Sequence, residues 1–64
     1  MPMITVDWLE GRTADQRREL TKVMTDAFVK IAGVPKEQVW VVFRDTPRSH
    51  WGMSGDLLDS SGKK

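Results

Sequence analysis

The chain of 64 residues contains no cysteine, no tyrosine and a single histidine. Without cysteine there are no disulfide staples and no thiolate ligands, and His50 with scattered carboxylates offers no metal-ligand spacing. No metal site is expected. Ten Lys+Arg against nine Asp+Glu leave a formal net charge of +1, so no global field draws the chain toward nucleic acid or an anionic membrane. No apolar run approaches the roughly 20 residues that span a bilayer, and the first residues lack the basic-then-apolar order of a signal peptide. These absences point to a soluble, cytoplasmic protein that binds neither nucleic acid nor membrane. Size adds a further constraint. Residues 1–64 make a single domain, and a monomer of this length buries only ~60% of the surface its unfolded chain exposes. With disulfides and metals excluded, oligomerisation is the usual remaining source of stability.

What is present reads as strand, helix, strand. From Met3 to Trp8 the side chains alternate, with Ile4, Val6 and Trp8 on one face and Met3, Thr5 and Asp7 on the other, as in a strand covered on one side. Glu10-Gly11-Arg12 turns the chain. Thr13 and Gln16 match a capping box, which places a helix start near Ala14. Leu20, Val23, Met24, Ala27, Phe28 and Ile31 then form an apolar stripe, while Arg17, Arg18, Lys22, Asp26 and Lys30 fall off it as a solvated face. Gly33 and Pro35 stop the helix. Val39-Trp40-Val41-Val42-Phe43 is an apolar, β-branched run of the kind buried on both faces. The sum is an α/β (α+β) fold, one βαβ unit with parallel strands. Two strands and one helix leave a sheet face bare, so the pattern itself calls for other subunits. Thr46 to His50 reads as a polar loop, and Trp51-Gly52-Met53-Ser54-Gly55 has the spacing of a short hairpin. Residues 58–64 read as a polar, mobile tail.

Few residues carry chemistry. Pro2 becomes a secondary amine if Met1 is removed, and an apolar pocket or a nearby guanidinium lowers the pKa of such an amine. It is then a general base at neutral pH, or a nucleophile toward a carbonyl. Against this stands the plain fact that proline is well tolerated at the start of a strand. Arg12 sits at the end of the first strand, beside the helix N-terminus, where a guanidinium and free N–H groups suit a carboxylate. An exposed turn arginine paired with Glu10 or Asp15 is the simpler alternative. Trp40 belongs to a strand, where an indole packs by default. Trp51 lies on a glycine-rich segment with little local core to join, and either walls a pocket or plugs a neighbour. His50 has no nucleophile beside it, and Gly52-Met53-Ser54-Gly55 lacks the strand-to-helix setting of a phosphate loop.

Taken together, Pro2, Leu9-Glu10-Gly11-Arg12, one helix, the apolar second strand and His50-Trp51-Gly52-Met53-Ser54-Gly55 resemble the short-chain tautomerase family typified by 4-oxalocrotonate tautomerase. The resemblance covers nearly the whole chain. It implies removal of the initiator, assembly into a homo-oligomer expected as a hexamer, and sites formed between neighbours, although relatives also include assemblies of two different chains. It further implies a cofactor-free isomerase in which Pro2 moves a proton within a small enol or unsaturated keto carboxylic acid. Arg12 of a neighbour would bind the substrate carboxylate, with Leu9 and Trp51 as apolar walls; the family usually has phenylalanine where Trp51 stands. One departure bears on substrate. The prototype's second-strand arginine, which polarises the substrate carbonyl, is replaced here by Trp40, and loss of such a cation costs orders of magnitude in rate. Arg44 shares the strand face of Trp40 and offers an alternative charge from a shifted position, or the Trp40 indole N–H gives a weaker hydrogen bond. Two other functions compete: hydration or dehalogenation of an unsaturated acid, which needs a water-activating carboxylate with no clear match here, and a non-catalytic binding or assembly role. A retained Met1 would favour the latter, because the Pro2 nitrogen would then be an amide.

Overall fold

The computed structural model describes residues 1–59. Alternating side chains make Met3–Leu9 a seven-residue strand, β1. The helix α1 spans Ala14–Ala32 and begins in a complete capping box: Gln16 N–H donates to Thr13 Oγ1 and Thr13 N–H donates to Gln16 Oε1. These reciprocal bonds satisfy two N–H groups that a helix start otherwise leaves open. At the other end Gly33 takes a left-handed conformation, φ 71°, and its N–H closes on Val29 O, a geometry that a Cβ would penalise. A short 3₁₀ turn, Lys36–Gln38, leads into β2, Trp40–Thr46. The strand pairs parallel with β1, Met3 opposite Trp40 through Leu9 opposite Thr46. The expected βαβ unit is therefore present.

The segment expected as a polar loop is more ordered than its composition implies. Thr46 completes β2, and Arg48–His50 form a second 3₁₀ turn. The short hairpin follows, with β3 (Gly52–Met53) antiparallel to β4 (Asp56–Leu57). Its two-residue loop, Ser54 at φ 54° and Gly55 at φ 84°, has both central residues at positive φ, the signature of a type I′ turn whose twist suits a hairpin. Leu58 N–H donates to Trp51 O at 2.9 Å, so the hairpin is tied back to the residue that opens it. Of the expected tail 58–64, residues 60–64 lie outside the described residues.

One sheet face carries Ile4, Val6, Trp8, Val41 and Phe43, all half-buried. Trp8 and Phe43 stack there at 5.1 Å between centroids. The opposite face leaves Met3, Thr5, Asp7, Trp40 and Arg44 exposed. Here β2 departs from the strand buried on both sides that its sequence predicts: Trp40 is 53% exposed, because the protomer has no second layer to cover it. The helix shows a parallel difference. Arg17, Thr21, Met24, Thr25 and Val29 are half-buried, whereas Leu20, Val23, Phe28 and Ile31 stay exposed. The apolar stripe is wider than two strands can cover. No side chain among the described residues is fully buried. The radius of gyration, 15.5 Å, also exceeds the roughly 11 Å of a compact globule of this length.

Candidate active site

Parallel pairing puts the starts of both strands at one end of the sheet and their finishes at the other, and this divides the candidate residues. Pro2 and Trp40 share the first end. Pro2, half-buried, accepts a hydrogen bond at its carbonyl from Trp40 N–H, 3.0 Å. Leu9 closes β1 at the second end, where Glu10 N–H donates to Thr46 O, 3.0 Å. Arg12 follows Gly11, whose φ of 116° lets the chain turn out of the strand. Seven strand residues at ~3.3 Å each put about 23 Å between the two ends. Within one protomer, Pro2 and Arg12 do not meet.

Trp51 belongs to the second end, half-buried, its N–H donating to Arg48 O at 3.2 Å. Arg44 lies on the face of Trp40, as its spacing predicts, but four residues and about 13 Å further along the strand. Its guanidinium is 3.9 Å from Asp7 Oδ1, its register partner. His50 is exposed within its 3₁₀ turn. Among the described residues no group of three His, Cys, Asp or Glu is arranged to hold a metal ion, and no helix is long and apolar enough to cross a membrane.

The surroundings of Arg12 differ from the sequence expectation. Asp15 pairs with Arg18 rather than with Arg12. The Arg12 guanidinium instead lies over the Trp8 ring, its central carbon 5.6 Å from the ring centroid, within the range of a cation–π contact. Both residues line an open groove of about 430 Å³ with Gln16, Glu19, Leu20 and Val23. Arg17, expected on the solvated face, instead turns inward, where its Nη1 donates to Arg12 O at 3.0 Å and lies 3.5 Å from Asp45 Oδ2. The cause is the register: Asp45 stands opposite Trp8 on the helix-covered face, and a carboxylate there attracts the nearest guanidinium. Trp8 Nε1–H also donates to Asp45 Oδ1, 2.6 Å. Sequence reasoning missed Asp45 altogether. The available signal was the alternation of β2, which carries position 45 onto the face of Val41 and Phe43.

The sequence profile of the tautomerase enzyme family matches residues 2–60. A probable tautomerase from Ralstonia nicotianae is 40% identical over 55 residues, which cover 86% of this chain and 79% of that protein. The crystal structure of a 4-oxalocrotonate tautomerase homologue superposes with a TM-score of 0.91 at 33% identity, over 100% of this chain and 98% of that one. A heterohexamer 4-oxalocrotonate tautomerase from Chloroflexus aurantiacus J-10-fl gives a TM-score of 0.80 at 28% identity, covering 91% and 94% of the two chains.

Proposed function

The chain belongs to the tautomerase family, and from that premise we propose that it is a cofactor-free isomerase of small enol and keto carboxylic acids, with Pro2 as its base. The supporting observation is the division of the site. Pro2 and Arg12 stand at opposite ends of a two-stranded sheet in a protomer that fully buries no described side chain. A working site then takes Pro2 from one subunit and Arg12 from another, in a cytoplasmic homo-oligomer proposed as a hexamer.

In such a site Arg12 holds the substrate carboxylate through paired N–H donors. Pro2 nitrogen, freed by removal of Met1, takes the proton from the enol oxygen. A proton returns from the prolinium to carbon, giving the keto acid with no change in composition and the base restored. Leu9 and Trp51 wall the site and keep water from competing for the proton. The developing oxyanion needs a donor. Two residues could supply it: Trp40, hydrogen-bonded through its backbone to Pro2, through its indole N–H, or Arg44, about 13 Å further along the strand, as a charge in a neighbour's site.

The test is the ultraviolet decay of a simple enol acid such as phenylenolpyruvate, followed once mass spectrometry has confirmed that Met1 is absent. Pro2→Ala is expected to lower turnover by about 10²–10⁴, the usual contribution of a positioned base. Trp40→Phe and Arg44→Ala divide the oxyanion role, since only the true donor lowers kcat. Processed wild-type protein that leaves the decay unaccelerated, or a Pro2→Ala variant as fast as wild type, overturns the proposal.

A further inference from the structure

We propose that Asp45 is a positioning residue that holds Arg12 ready for a carboxylate, acting through Trp8 and Arg17. The inference rests on the reading that Arg12 binds the substrate carboxylate. Its evidence is a closed set of contacts. One oxygen of Asp45 accepts the Trp8 indole N–H at 2.6 Å, and the other lies 3.5 Å from Arg17 Nη1. Arg17 Nη1 in turn donates to the backbone carbonyl of Arg12 at 3.0 Å. The Trp8 ring, braced from Phe43 by a stack at 5.1 Å, lies under the Arg12 guanidinium at 5.6 Å. Asp45 therefore fixes Arg12 twice, at the main chain through Arg17 and at the guanidinium through Trp8.

The arrangement answers a local problem. Arg12 follows Gly11 in a turn, and a long side chain on a glycine hinge must be ordered each time a ligand binds. Ordering it beforehand lowers that cost. The Arg17–Asp45 pair alone would achieve little, because its side chains remain 33% and 41% exposed and exposed ion pairs are weak. Its effect comes from a single carboxylate shared by two donors, so that loss of Asp45 releases both restraints together. Thr13 caps α1 immediately afterwards, so the tether spans the stretch without regular secondary structure between β1 and the helix.

The experiment compares wild type, Asp45→Ala, Arg12→Ala and the double variant. The assembled proteins are assayed with an enol carboxylic acid and with its methyl ester, alongside ¹⁵N relaxation of the arginine Nε–H groups. Asp45→Ala is expected to raise KM for the acid about tenfold while changing kcat less than twofold, and to raise KM for the ester far less. In the Arg12→Ala background it should add nothing further. The Arg12 Nε–H should be as rigid as the backbone in wild type and as mobile as an exposed arginine in Asp45→Ala. If Asp45→Ala does not fold, Trp8→Phe keeps a ring under the guanidinium without the indole donor and should loosen Arg12 in the same spectra. Unchanged Arg12 relaxation in the variant, or equal KM increases for acid and ester, overturns the inference. Failure of the underlying reading looks different: Arg12→Ala would itself leave KM for the acid unchanged. The relaxation measurement gives a result even without turnover.

Discussion

Two variants impaired at different parts of the site should restore each other when mixed. Pro2→Ala removes the proposed base and Arg12→Ala the proposed carboxylate ligand, and the roughly 23 Å between the strand ends keeps the two from meeting within one chain. Equal amounts of the variants, unfolded together in urea and reassembled by dialysis, form mixed oligomers. A site is competent when its proline comes from an Arg12→Ala chain and its arginine from a Pro2→Ala chain. Random assembly gives each condition a chance of one half, so roughly a quarter of the sites should be competent. At substrate well below the wild-type KM, turnover of the enol acid should accordingly recover to about a quarter of wild type, against a much lower rate for either variant reassembled alone. A site that combined three subunits, with Trp51 or Arg44 from the third, would give the same figure, because those residues are intact in both variants. Mixed oligomers confirmed by native mass spectrometry yet lacking turnover would refute the division of the site between chains.

Two further outcomes follow from the geometry. Thr13→Ala removes the hydroxyl half of the capping box and should cost about 1 kcal/mol, read at fixed protein concentration as a urea midpoint lower by roughly 0.5–1 M; an unchanged midpoint would mean that the cap adds nothing to stability. In a titration of ¹⁵N-labelled Pro2, the amine should lose its proton below the pH of an ordinary amino terminus, since desolvation and a neighbour's guanidinium both disfavour the charged form. Activity should then climb as pH rises through that lowered value and level off above it, whereas an unshifted titration would count against the proposed site.

Much of this architecture is legible in the sequence because local chemistry carries it. The Thr13/Gln16 box, the Gly33 stop and the alternation from Met3 to Trp8 each act within a few residues and mark real boundaries. Longer-range consequences were less legible. The apolar stripe of α1 was plain in the sequence, yet how much of it the protomer covers depends on the width of the sheet beneath, and Leu20, Val23 and Ile31 remain exposed. The inward turn of Arg17 was hidden for a related reason. It depends on the register between β1 and β2, which sets Asp45 opposite Trp8, and no local rule couples positions 17 and 45. The separation of Pro2 from Arg12 is the opposite case, since the extended run of β1, Met3–Leu9, lies between them.

In the proposed assembly, the absence of any fully buried side chain among the described residues makes dilution a denaturant. A protomer that relies on neighbours for its interior has a stability inseparable from its concentration. If base and cation come from different subunits, as proposed, active sites accumulate more steeply than the chain itself while subunits are scarce. On that proposal a newly made chain is both catalytically silent and exposed to proteolysis until it meets its partners, and the supply of subunits becomes a control on activity with a threshold built in.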